Sequence, residues 1–92
     1  MFKILKKFHV NNNNTVILYD IPFSIVHNRN IDCINDAGVN IWTIQETRSQ
    51  SDNSPYVNIF MKGGYLYAVN YDGWTEKIDL DTGRIIESKY TK

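Results

Sequence analysis

The sequence has only one cysteine, Cys33, and two histidines among its 92 residues. A single cysteine cannot close an intramolecular disulfide bond, and it cannot supply the paired thiolates of a structural zinc site. Because the fold must form without a disulfide bond, we expect a protein of the reducing cytoplasm. We predict neither a metal nor a cofactor.

The chain also lacks an excess of charge of either sign. Ten basic and ten acidic residues give a formal net charge of zero, whereas proteins that bind a phosphate backbone usually carry a positive excess. No apolar run approaches the roughly 20 residues of a membrane span. Lys6, Lys7 and His9 interrupt the apolar residues of the first segment. We therefore predict no direct contact with nucleic acid, no membrane span and no secretion signal.

Sustained helical periodicity is absent as well. Apolar residues alternate or form runs of about four to seven, and β-branched and aromatic types dominate. These patterns predict an all-β fold in which the first strand could instead form a helical turn. The candidate strands are 2–10, 15–20, 22–27, 31–35, 39–45, 56–62, 65–70, 74–80 and 84–90.

Turns that end in glycine predict the register of these strands. A two-residue turn at Gly63 and Gly64 joins two strands. A three-residue loop, 71–73, is favoured over a two-residue turn because it keeps Lys77 and Asp79 off the aliphatic face and brings Trp74 and Ile78 onto it. Loops of the same design are predicted at 81–83 and 36–38. The predicted pairs are Leu66 with Ile78, Ala68 with Glu76, Tyr67 with Lys77, Ile78 with Ile86, Trp74 with Tyr90, Lys77 with Glu87, Cys33 with Ile41, and Asp32 with Trp42.

We expect one domain, 1–92, that consists of two antiparallel meander sheets. The first sheet would span 1–46 and the second 56–92, and the polar stretch 47–55 would connect them. Both sheets carry apolar side chains on both faces, so they should pack on each other. They would still leave an apolar patch for the first strand, a second copy or a partner to cover.

Two constellations that could carry chemistry are weak. The DLDTG segment spaces Asp79 and Asp81 like the start of a calcium loop, but glycine stands at the next ligand position and Tyr90 stands where the loop needs a bidentate glutamate. Cys33 and His27 could form a nucleophile and base, yet no third group supports them. We predict no catalytic residue and no enzymatic activity.

The segment around the 71–73 loop is instead a candidate protein-binding site, because tyrosine and tryptophan are enriched at interfaces. The candidate contact residues are Tyr71, Asp72, Trp74 and Glu76. Glu76 has two interpretations, a carboxylate near Ser88 at the edge of the sheet or a partner contact. With Asp79 and Asp81, these residues would form one acidic and aromatic rim suited to a basic partner.

The segment YVNIFMKGGYLYAVNYDGWTEKIDLDTGRIIESKYTK resembles a blade of the quinoprotein-like β-propellers. Glu87 replaces the usual tryptophan of the blade, while Trp42 stands near the equivalent place in the first half. The positions that match the blade pattern are Leu66, Ala68, Ile78, Asp79, Thr82, Gly83 and Ile86.

Two blades make a half-propeller, an arrangement similar to that of small immunity proteins of contact-dependent growth inhibition systems. The resemblance implies a bacterial protein that binds a cognate toxin, in many cases a nuclease, and blocks its active site without catalysis. The alternatives are a homo-oligomer in which half-propellers complete a ring, and a small-ligand-binding module.

Overall fold

The computed structural model describes residues 2–10, 13–22, 24–25, 27–46 and 54–90. Within these residues the chain forms eight strands in two four-stranded antiparallel sheets, each in chain order, and no helix. The predicted all-β fold of two meander sheets is confirmed. The first sheet contains β1 (Lys3–His9), β2 (Thr15–Asp20), β3 (Ile31–Ile34) and β4 (Asn40–Thr43), and the second contains β5 (Tyr56–Lys62), β6 (Tyr65–Asn70), β7 (Trp74–Ile78) and β8 (Ile85–Tyr90).

Two expectations about single segments have different outcomes. The first segment is a strand and not a helical turn. The strand predicted at 22–27 is wrong, because its described residues form a turn in which the amide of Ile25 donates to the carbonyl of Pro22 at 3.0 Å. Most of the predicted connection, 47–53, lies outside the described residues.

The register predicted from the glycine turns is confirmed over most of the second sheet. Gly63 and Gly64 have φ angles of +59° and +83°, as a tight two-residue hairpin turn requires. The pairs confirmed across β6, β7 and β8 are Leu66 with Ile78, Tyr67 with Lys77, Ala68 with Glu76, Lys77 with Glu87, and Trp74 with Tyr90.

A β-bulge in β4 makes two predicted pairs of the first sheet wrong. Cys33 lies opposite Trp42 and Asp32 lies opposite Thr43, because the pairing skips Ile41. The skipped residue turns outward, so that Ile41 is 43% exposed while Trp42 is only 6% exposed. The bulge thus places the larger aromatic side chain in the core, where it buries more apolar area.

The second sheet contains two similar bulges. In β8 the pairing skips Ile86, so Ile78 pairs with Ile85 and not with Ile86 as predicted. In β5 it skips Val57, which is exposed, and Tyr56 then lies opposite Asn70 on the buried face. Simple alternation would place Val57 on the inner face with Ile59, but the bulge leaves Val57 exposed on the outside.

One core lies between the two sheets and takes side chains from both. Residues that are almost fully buried come from every strand except β1 and β8, which form one edge of each sheet. A hydrogen bond of 2.7 Å from the indole Nε1 of Trp42 to the carbonyl of Leu80 links the sheets at one end. The core consists of Val16, Leu18, Ile31, Cys33, Trp42, Ile44, Tyr56, Ile59, Leu66, Ala68 and Ile78.

Gly83 lies at the same junction and is required there for two reasons. Its φ of +75° is in the left-handed region, which disfavours residues with a Cβ. A Cβ at this position would also lie 2.5 Å from Cε3 of Trp42. The turn geometry explains the first requirement, and the packing of the indole ring against the backbone of the other sheet explains the second.

Candidate functional site

The loop between β6 and β7 is held in place by buried groups. Asn70 is almost fully buried, and its side-chain oxygen accepts a hydrogen bond of 2.8 Å from the amide of Trp74. The amide of Tyr71 donates to the carbonyl of Pro55 at 2.9 Å. Gly73 closes the loop with a φ of +99°, as its sequence position predicts. The chain itself therefore supplies the hydrogen bonds that anchor the backbone of this loop.

We call the side chains at this end of the second sheet the hairpin rim, which consists of Tyr71, Asp72, Trp74 and Tyr90. Tyr71 is 53% exposed, Tyr90 is exposed, and Asp72 and Trp74 are half-buried. The rings of Trp74 and Tyr90 meet edge to face, with their centroids 5.5 Å apart and an interplanar angle of 60°. Tyr90 was not among the predicted contacts, although the predicted pairing with Trp74 already placed it there.

Glu76 does not belong to this surface. Its side chain is fully buried, with Oε1 lying 2.6 Å from the hydroxyl of Tyr56 and Oε2 accepting a hydrogen bond of 2.9 Å from Ser88 Oγ. A carboxylate inside the core cannot touch a partner in this conformation, so the assignment of Glu76 as a contact residue is corrected. Its hydrogen bonds compensate the cost of its burial.

The acidic rim predicted from the sequence is divided between two ends of the sheet. Asp79 and Asp81 lie beyond the far end of β7, a strand of five residues that begins at Trp74 in the hairpin rim and rises about 3.3 Å per residue. Oδ1 of Asp79 accepts the amide of Asp81 at 2.8 Å, which stabilises the turn before Gly83. The described residues contain no cluster of side chains suited to a metal ion.

Cys33 and His27 are not brought together as a nucleophile and base. Cys33 is fully buried in the core, and burial raises the pKa of its thiol, which disfavours the reactive thiolate. His27 stacks on Phe2, with ring centroids 5.4 Å apart. The imidazole thus lies with aromatic and polar side chains outside the core.

Phe2 and His27 are part of the lining of a cleft of about 510 Å³, which we call the outer cleft. Ile4, Tyr19, Asp32 and Thr43 share the face of the first sheet that points away from the core. Sequence reasoning missed the cleft because its residues are scattered from position 2 to 43. The alternation of side chains along β2 and β3, which puts Tyr19 and Asp32 on one face, was the signal that could have indicated part of the cleft. The cleft is lined by Phe2, Ile4, Tyr19, His27, Arg29, Asp32 and Thr43.

A short polar network organises one wall of the outer cleft. The hydroxyl of Thr43 donates to Oδ1 of Asp32 at 2.7 Å. Burial raises the pKa of Tyr19, and the negative charge of Asp32 and its hydrogen bond with the tyrosine hydroxyl raise it further. The phenol therefore keeps its proton and donates to the carboxylate. This wall presents a fixed hydrogen-bond acceptor beside an aromatic ring.

The fold and these surfaces define a small all-β domain of two antiparallel meander sheets. The chain belongs to the family described as Domain of unknown function (DUF7957), whose family model matches residues 2–90. No curated protein matches the sequence significantly. In the part of the chain that the structure describes, no helix is long and apolar enough to cross a membrane.

Proposed function

We propose that this chain is a small protein-binding module that blocks a cognate bacterial toxin in the cytoplasm. The observation that supports the proposal is the hairpin rim, whose exposed and half-buried aromatic rings and carboxylate lie on an anchored loop or directly beside it. Tyrosine and tryptophan dominate the energetics of many protein interfaces. A loop that is already anchored by hydrogen bonds needs little further ordering on binding.

The half-propeller resemblance supplies the class of partner and the mode of action. It implies an immunity protein, which neutralises its toxin by occupying the active site or its approach. Asp72 beside Tyr71 and Trp74 suits a basic surface such as the substrate-binding side of a nuclease, because complementary charge speeds association and fixes orientation. In this arrangement Tyr71 is the anchor that enters a pocket of the partner.

The test is binding and protection against the toxin encoded next to the gene for this chain. We expect Tyr71→Ala to weaken binding by at least about tenfold, as the loss of an aromatic anchor does. Tyr65→Ala is the matched control, because Tyr65 is 47% exposed and lies at the opposite end of the second sheet, near Gly64. Asp72→Asn should slow association most strongly at low salt.

Two results would contradict the proposal. One is a failure of the purified chain to bind the adjoining toxin and of its expression to protect cells. The other is equal binding by Tyr71→Ala and Tyr65→Ala, which would show that the interface is not centred on the hairpin rim. A stable higher-order species in light scattering would favour the homo-oligomer instead.

A further inference from the structure

Arg29 is positioned for binding by contacts with the backbone. Its Nε donates to the carbonyl of Ile44 at 2.8 Å, and Nη2 lies 3.5 Å from the carbonyl of Thr43. Among the described residues it makes no ion pair with a carboxylate, and the remaining N–H groups of its fork can donate elsewhere. A guanidinium held along one edge presents the other edge for bidentate contact with a carboxylate or phosphate.

A second cleft shares Arg29 and Thr43 with the outer cleft. It has a volume of about 460 Å³ and lies where the first sheet meets the loop between β7 and β8. We call it the basic cleft, because it contains two arginines and no acidic side chain among the residues that line it. These residues are Arg29, Thr43, Gln45, Thr82, Gly83 and Arg84.

The two clefts differ in the chemistry that they offer. The outer cleft provides aromatic surfaces and the carboxylate of Asp32, and the basic cleft provides Arg84 and hydroxyl groups. An anion is disfavoured near Asp32 and favoured between the arginines. The volume of the outer cleft, about 510 Å³, and its combination of apolar walls with a few polar groups are typical of small-molecule sites.

We propose that the two clefts together bind a planar aromatic anion. The ring occupies the outer cleft, its acidic group contacts Arg29 and Arg84, and a hydrogen-bond donor on the ring faces Asp32. This site goes beyond the proposed toxin binding and does not depend on it, because none of its residues belongs to the hairpin rim.

The experiment is titration of the full chain with two aromatic anions, 4-hydroxyphenylacetate and 5′-GMP, followed by calorimetry and amide chemical shifts. Acetate and inorganic phosphate are the probes without a ring. We expect at least one aromatic anion to bind at least about tenfold more tightly than its ringless counterpart. Binding of 4-hydroxyphenylacetate alone identifies the ligand class as an aromatic carboxylate, and binding of 5′-GMP alone identifies it as a nucleotide. In both cases the amide shifts should centre on Tyr19 and Thr43.

Variants then test the geometry. Arg29→Ala should weaken binding by about tenfold or more, since it removes a charged hydrogen-bond donor, and Arg29→Lys should restore only part of the affinity. Lys62→Ala removes the same charge from a residue that lines neither cleft and should bind normally. Absence of binding by both aromatic anions, equal binding of the ringless probes, or no effect of Arg29→Ala in a folded variant would overturn the proposal.

Discussion

Substitution of Gly83 by alanine should be among the most damaging small changes in this chain. The left-handed φ of +75° costs a residue with a Cβ about 1–2 kcal/mol. The new Cβ would also lie 2.5 Å from Cε3 and 2.8 Å from Cδ2 of Trp42, and overpacking of this kind costs about 1–3 kcal/mol. Together these terms predict a loss of about 2–5 kcal/mol in the free energy of unfolding.

Gly38→Ala is a matched control for the backbone contribution. Gly38 has a φ of +78°, and a Cβ there would meet nothing within 4 Å. We therefore expect Gly38→Ala to cost only about 1–2 kcal/mol. Both substitutions reduce the freedom of the unfolded chain equally, so this effect cancels in their difference. The difference of about 1–3 kcal/mol then reports the contact with Trp42.

Urea unfolding followed by circular dichroism measures both variants under the same conditions. On heating, a domain of this size loses about 4–8 °C of melting temperature for each kcal/mol, so Gly83→Ala should melt roughly 10–40 °C lower. Equal destabilisation by Gly83→Ala and Gly38→Ala would refute the reasoning. It would mean that Trp42 does not pack on this turn or moves away at no cost.

The turns and most of the register could be predicted because each follows from a local requirement. Positive φ angles at Gly63 and Gly64 need residues without a Cβ, and a hairpin loop of known length fixes the pairs that follow it as far as the next bulge. The opposite charges of Lys77 and Glu87 lie directly across the strands, as the predicted register places them. Such constraints are contained in segments of about ten residues.

The bulges could not be predicted, because alternation cannot choose between two adjacent apolar residues. Ile41 and Trp42 both suit a buried position, and the contact of Trp42 with Gly83, in the other sheet, decides which one turns inward. The bulge at Val57 has a larger consequence for the candidate site. It turns Tyr56 into the core, where its hydroxyl meets Glu76.

The two candidate surfaces differ in the same way. Most of the hairpin rim lies within one loop and was predicted from its aromatic composition, while Tyr90 required the register. The outer cleft combines Phe2, which precedes the first strand, with Thr43, which ends the fourth. No local pattern joins residues so far apart in the chain, so only the assembled sheet reveals the site.

Two further perturbations test the interior. Glu76→Ala should lower the free energy of unfolding by about 1–3 kcal/mol, measured in urea, because Ser88 loses its acceptor and the hydroxyl of Tyr56 loses its shorter hydrogen bond and keeps the longer contact of 3.1 Å with the carbonyl of Gln45; a neutral result would show that these hydroxyls find other partners. Burial raises the pKa of Cys33 above its ordinary value of 9.0, so the unfolded chain loses this proton at a lower pH than the folded chain does. The resulting stability is complete below pH 9.0 and is lost as the pH rises through the folded pKa. The pKa of Tyr19 is also raised above its ordinary value of 10.0, so its titration changes the stability in the same direction. Comparison with Cys33→Ala therefore isolates the contribution of Cys33. Urea midpoints between about pH 8 and 10 should fall more steeply for the natural chain than for this variant, and parallel curves would show that the thiol does not contribute.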